Sequence, residues 1–248
     1  MLTYFRLSRD FIIWLVTRGI SPFSYFCRLA IRSARKIISA VDVDIALDLG
    51  AGSSPYRSYF YSVFPRSRYL SFDFALAKGL DVVADVTQLP LKNGCVDIVL
   101  SFDVIQHLKY PEEMVKEAHR VLRPNGLLIL SYPFLYAECD AMDFSRWTRD
   151  GFEFLLKENN FRVCEHERRG GIFFLFVTGM IWAIQNITPG RPTSWRTTGP
   201  LQLMRSVILN ILCFPLMLTS WIALFVDFVL PSSGAYIGCW VVAEKNKL

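Results

Sequence analysis

Residues 45–56 read Ile45-Ala-Leu-Asp48-Leu-Gly50-Ala-Gly52-Ser-Ser-Pro55-Tyr56, and the rest of the chain is best read outward from them. A short apolar run carries one acid and stops at two glycines separated by a single residue. This is the pattern of a buried parallel strand ending in a tight turn. Gly50 and Gly52 let the backbone turn sharply and approach a ligand with no Cβ in the way. Asp48 falls where a strand delivers its last side chains to the carboxyl edge of the sheet, the edge at which open α/β sheets bind ligands.

A dinucleotide loop would need G-x-G-x-x-G, but Pro55 stands at the third glycine position and an acid precedes the first. A carboxylate repels a pyrophosphate and attracts a cation. D-x-G-x-G therefore favours a nucleoside bearing positive charge, although a glycine-rich turn without a ligand also fits these residues. Downstream spacing bears on that choice. Arg68 to Asp73 is a second apolar strand ending in an acid 21 residues after Gly52, placed to take both ribose hydroxyls of an adenosine. Ala84-Asp85-Val86 closes a third short strand, and Val96 to Ser101 supplies a fourth.

The ordered runs L-D-L-G-A-G, S-F-D, A-D-V-T-Q-L-P-L, V-D-I-V-L-S-F-D-V-I-Q-H-L and R-V-L-R-P-N-G-L-L-I-L-S-Y-P together resemble a class I S-adenosylmethionine-dependent methyltransferase. They are most similar to the type 11 branch that includes the ubiquinone and menaquinone biosynthesis enzymes. Ser54-Pro55-Tyr56-Arg57 and Asp143-Phe-Ser-Arg-Trp-Thr148 resemble members found with bacterial surface-glycan enzymes. The resemblance covers about residues 42 to 168. It implies a Rossmann-like, doubly wound α/β sheet of seven strands with S-adenosyl-L-methionine as cofactor. Asp48, Gly50, Gly52, Asp73, Asp85, Val86 and Ser101 are the expected cofactor contacts. His107 and Asp103, just after the fourth strand, are the catalytic candidates, with His107 able to take a proton from a hydroxyl acceptor. Tyr56, Arg57, Tyr132 and Arg146 are candidates for shaping an acceptor pocket.

The chain is long enough for one such domain with additions. A net charge of +5 is modest and dispersed, so nucleic acid is not an expected partner. The six cysteines form no C-x-x-C pair and histidine occurs three times, so no metal site is expected. Isolated apolar cysteines suit a reducing, cytoplasmic compartment. The 52% hydrophobic content and mean hydropathy of +0.31 are high for a soluble enzyme, and the excess lies toward the two ends.

Residues 1–41 are expected to be a helical extension. Phe11 to Val16 is too short for a signal-peptide core or a span. From Pro22 a helix is predicted with Phe26, Leu29, Ala30, Ser33, Ala34, Ile37, Ile38 and Val41 on one face and Arg28, Arg32, Arg35 and Lys36 opposite. The catalytic domain is expected over 42–170 and 235–248, with Pro111-Glu112-Glu113 opening a helix, Leu127 to Ser131 as the fifth strand, Thr148 capping another helix and Phe161 to Glu167 as the sixth strand. The seventh strand is delayed to Tyr236–Ala243 by a hydrophobic helical insertion over 171–234.

Within the insertion, Gly171 to Gly190 and Ser206 to Val226 carry no charge, and the second is about the ~20 residues that a transmembrane helix needs. Because strands six and seven join one sheet, spanning would export Arg191, Arg196 and Arg205 together, against the positive-inside tendency. The charge pattern favours segments that lie on the inner membrane face, with a lid over the pocket as the alternative. The function classes left open are a methyltransferase for an oxygen of a glycan, glycolipid or prenyl-type lipid; a soluble small-molecule methyltransferase; and a non-catalytic binding module.

Overall fold

The computed structural model describes residues 22–38, 43–138, 142–186, 215–216, 218–230 and 234–246. Its strands are β1 (Ile45–Leu49), β2 (Arg68–Asp73), β3 (Val82–Val83), β4 (Val96–Phe102), β5 (Leu122–Pro133), β6 (Phe161–Arg169) and β7 (Gly238–Lys245). They form one sheet in the order β3-β2-β1-β4-β5-β7-β6. Every pairing from β3 to β5 is parallel, and β7 runs antiparallel between β5 and β6. All six strand ends that precede a crossover therefore point to one edge, and the order reverses between β1 and β4, where such sheets open a crevice.

The strand interiors are apolar on both faces because helices cover both. One core holds Leu47, Leu49, Val99, Leu128 and Leu130 under α3 (Pro111–Val121) and α4 (Arg149–Glu158). The other holds Ala46, Ile98, Leu100, Leu127 and Ile129 under α1 (Pro22–Ile37) and α2 (Arg57–Val63), together with Phe174 of α5 (Ile172–Asn186) and Ala223 of a helix over 218–229. In α3, Glu112 and Glu113 occupy the first turn and His119 and Arg120 the last, matching the helix dipole. Thr148 caps α4 by accepting from the Gly151 N–H at 3.1 Å.

Several elements differ in detail from the sequence reading. Pro124-Asn125-Gly126 does not separate α3 from its strand: β5 begins at Leu122, and the six residues from Leu122 to Leu127 face only the three from Val96 to Ile98, so the triplet is a bulge inside the strand. The buried face of α1 is rotated toward Cys27 and Ile31, and Ile37 is 36% exposed. α1 crosses β5, β6 and β7, so its contact stripe is wider than one 3-4 row. Val41 lies outside the described residues. β3 is only Val82–Val83, and Asp85 and Val86 lie beyond it. The Ser206–Val226 run falls largely outside the described residues. Among those described, no helix is long and apolar enough to cross a membrane.

Candidate active site

The β1 strand ends in a turn in which Gly50, Gly52 and Ser54 all have positive φ (71°, 53° and 54°). The N–H groups of Gly50 and Ala51 both donate to the Phe72 carbonyl, at 2.8 and 3.0 Å, tying the turn to β2. The two glycines are needed for different reasons. A Cβ on Gly50 would lie 2.4 Å from a γ-carbon of Val104, so a side chain would displace the segment after β4. A Cβ on Gly52 would meet no atom within 4 Å, so this backbone faces open space.

Asp73 closes β2 beside this turn and is 9% exposed. One carboxylate oxygen accepts the Gly52 N–H at 2.9 Å and the other accepts that of Ala75 at 2.9 Å. Asp48 lies beneath, buried, and accepts a hydrogen bond from the Tyr69 hydroxyl. Burial pushes its carboxyl up to about 7, against the Tyr69 hydrogen bond and the charge of Arg57, which pull it down. The folded protein therefore holds a proton here that the unfolded chain releases, and the stability this contributes is lost as pH rises through about 7. A cationic ligand above the turn stabilises the carboxylate, so its binding should expel that proton. Affinity for such a ligand is expected to rise as pH increases toward 7, by up to about tenfold per pH unit, and to lose this slope in Asp48→Asn; titration calorimetry across pH 5 to 8 measures it.

The other expected site residues are placed as follows. The Asp85 carboxylate accepts from the Thr87 N–H and hydroxyl at 2.8 and 2.7 Å, so it organises its own turn. Val86 is buried in the core with its side chain turned from solvent. Ser101 is wholly buried, and its hydroxyl donates to the Leu49 carbonyl at 3.1 Å, so its side chain is engaged within the core. Asp103 is paired with an arginine. Its two oxygens accept bonds from the buried Arg169 guanidinium at 2.7 and 2.8 Å, which leaves it poorly placed to act as a base. His107 has Nδ1 2.6 Å from the Met142 carbonyl and Nε2 3.1 Å from the Gln106 amide nitrogen. With Nδ1–H donating to that carbonyl, Nε2 accepts from Gln106.

Two of the four acceptor-pocket candidates are engaged by other parts of the domain. Tyr132 is fully buried with its hydroxyl 2.7 Å from His166 Nε2, and Arg57 bonds Asp81, Ser71 and the Gly79 carbonyl. Arg146 is paired with Asp143, and Tyr56 packs edge-on against Phe102. Sequence reasoning missed Arg169. Its partner lies 66 residues away, and the signal available was an arginine followed by two glycines at the end of a strand rich in charged residues.

Residues 47–130, which span β1 to β5, match the family model described as "Methyltransferase domain". This segment is a methyltransferase domain. An uncharacterised methyltransferase of Mycolicibacterium gilvum is 36% identical over 81 residues, 33% of this chain and 29% of that protein. A malonyl-[acyl-carrier protein] O-methyltransferase of Hahella chejuensis is 35% identical over 97 residues, 34% of this chain and 35% of that one. The chain thus spans only about a third of the length of these relatives. The methyltransferase fold itself extends further: phosphoethanolamine N-methyltransferase 2 of Haemonchus contortus, solved with S-adenosyl-L-methionine, superposes with a TM-score of 0.57 over 95% of this chain and 56% of that one, at 15% identity.

The turn after β1 and the acids beside it form the candidate site for the cofactor of such a domain. The bare Gly52 backbone leaves room for a ligand against the turn, and the acid of Asp73 stands at the adjacent strand end. Asp48 places a titratable carboxyl beneath the same turn.

Proposed function

We propose that this chain is an S-adenosylmethionine-dependent methyltransferase acting on an oxygen of a glycan, glycolipid or prenyl-type lipid at the cytoplasmic face of a membrane. The observation that carries the acceptor class is an apolar surface on the helix pair that follows β6 at the carboxyl edge of the sheet. α5 starts directly after Arg169 at the carboxyl edge of the sheet, and the helix over 218–229 ends beside it, with Asp227 accepting from the N–H groups of Gly171, Phe173 and Phe174. Ile172, Phe173, Phe176 (70% exposed), Trp221, Ile222, Phe225 and Phe228 (83% exposed) are turned outward. Asp227 is the sole charged residue among the described residues from 171 to 230, and it is spent on the helix cap. Large exposed apolar patches mark interaction sites, and a lipid surface suits one without charge.

The bound cofactor supplies an electrophilic methyl group on a sulfonium. Asp73 would hold the ribose hydroxyls, the Gly50–Gly52 turn would seat the amino-acid end, and the Asp48 carboxylate would face its positive charge. Alignment of the acceptor and exclusion of water are then the chain's main tasks. His107 can take a proton from a hydroxyl only by giving up the Gln106 amide, so its part is to hold the 142–147 segment over the post-β4 turn. Oxygen as the receiving atom is supported by the name of the Hahella relative.

The test is transfer from methyl-labelled cofactor into lipid, polysaccharide and small-molecule fractions of a cell extract by the purified chain. Label is expected in the lipid or polysaccharide fraction. Label confined to small soluble compounds would overturn the acceptor class, and none in any fraction would overturn the activity.

A further inference from the structure

Arg169, the last residue of β6, is 1% exposed, and its side chain crosses beneath the ends of β7 and β5 to reach the turn after β4. Nη1 and Nη2 donate to the two oxygens of Asp103 at 2.8 and 2.7 Å, and Nη2 also donates to the Tyr132 carbonyl at 2.8 Å. Nε is buried without a partner. The sheet makes room for this guanidinium: a Cβ on Gly238, the first residue of β7, would lie 2.7 Å from Nη2 and 2.2 Å from the Tyr132 carbonyl oxygen. Burying a cation in this way is costly, and an apolar pair of similar volume usually serves stability as well or better.

The fixed point at the other end is the Asp103 backbone. Asp103 is a non-glycine residue in the left-handed region, with φ of 53°. Its N–H is directed at the carbonyl and hydroxyl oxygens of Ser131, at 3.0 and 3.1 Å. The next residue, Val104, fills the space that a Gly50 side chain would need. Its carbonyl accepts from the His107 N–H at 2.8 Å, which starts the short 3-10 turn Ile105–His107. One chain of contacts thus runs from Arg169 through Asp103 and Val104 to Gly50.

We propose that Arg169 is a positioning residue for methyl transfer, acting through Asp103 to press Val104 against the glycine turn and hold that turn in its cofactor-binding shape. The proposal rests on the reading of Gly50–Gly52 as the cofactor loop. It assigns Asp103 the same positioning task in place of acid–base chemistry. Misplacing a binding loop by a fraction of its width costs far more in catalysis than in folding, because the reacting groups must be held in alignment.

The experiment measures S-adenosylmethionine affinity by calorimetry on the full chain, with thermal melting in parallel, for the unaltered protein and for Asp103→Asn, Arg169→Lys, Arg169→Met and the Asp103→Asn/Arg169→Met double variant. Asp103→Asn is nearly isosteric and keeps one acceptor oxygen, so it should fold yet bind the cofactor about tenfold more weakly. Arg169→Lys keeps the charge but not the fork, and should fall between the parent and Arg169→Met. The double variant should bind no worse than the weaker single variant, since both act through one contact. A folded Asp103→Asn with parental affinity would overturn the proposal, whether or not Arg169→Met folds. Failure of the unaltered chain to bind S-adenosylmethionine would instead overturn the cofactor reading on which it rests.

Discussion

Replacing Asp73 by alanine is expected to weaken S-adenosylmethionine binding by about a hundredfold or more while leaving the sheet folded. The carboxylate stands at the end of β2 and carries two loads. It accepts the backbone N–H groups of Gly52 and Ala75, and it would accept the two ribose hydroxyls of the cofactor. Charge-assisted bonds contribute roughly 1.5–3 kcal/mol each, so losing a bidentate contact and loosening the glycine turn together remove several kcal/mol of binding. The fold should survive because both protein partners are loop amides at the rim, whereas the strand itself is fixed by its parallel register from Ile45↔Arg68 to Leu49↔Phe72. Calorimetry and circular dichroism on the same preparation make the check. Unchanged affinity would remove Asp73 from the site, and a lost spectrum would mean that the acid carries the fold instead. Asp73→Asn should fall between the two, since its one remaining oxygen can serve either the backbone or a hydroxyl.

What was legible in the chain was whatever local backbone chemistry dictates. The glycine turn, the strand that ends in Asp73 and the order of strands and helices through β5 each rest on apolar runs bounded by Gly, Pro or a capping residue, signals that lie within a few residues of what they specify. Three kinds of feature were not legible in this way. Strand side chains alternate, so the end of an apolar run does not reveal whether a polar residue faces the crevice or the core; Ser101 faces the core. An acid beside a threonine can be consumed by its own turn, and Asp85 is so consumed. The Arg169–Asp103 pair joins residues that no local pattern connects, and it exists because β7 is inserted antiparallel between β5 and β6, which brings the end of β6 back to the carboxyl edge. The same topology starts α5, and with it the hydrophobic insertion, at the carboxyl edge of the sheet, just after β6.

Removing the charge of Asp227 is expected to have its largest effect on that insertion. The N-terminus of α5 has no capping side chain from its own first turn; the Asp227 carboxylate supplies the acceptors from across the helix pair, bonding Gly171 at 2.8 Å, Phe173 at 3.1 Å and Phe174 at 2.9 Å. Three orphan amides and the positive end of the helix dipole meet one acid in an apolar setting. Asp227→Ala should therefore cost about 2 kcal/mol locally, the upper end of what capping residues contribute, because no other charged residue lies in the described parts of the insertion. Gly171 gives an independent route to the same result. A Cβ there would lie 2.5 Å from an Asp227 oxygen, so Gly171→Ala should push the carboxylate off the helix end and mimic the loss. The β-sheet does not depend on this cap, and cofactor affinity should stay near the parental value. Flotation with vesicles containing anionic lipid, set beside hydrogen exchange across residues 172–186, reads both consequences. Faster exchange with reduced flotation is expected for each variant. Parental flotation in a variant whose α5 amides exchange freely would show that the ordered helix pair is not what meets the lipid.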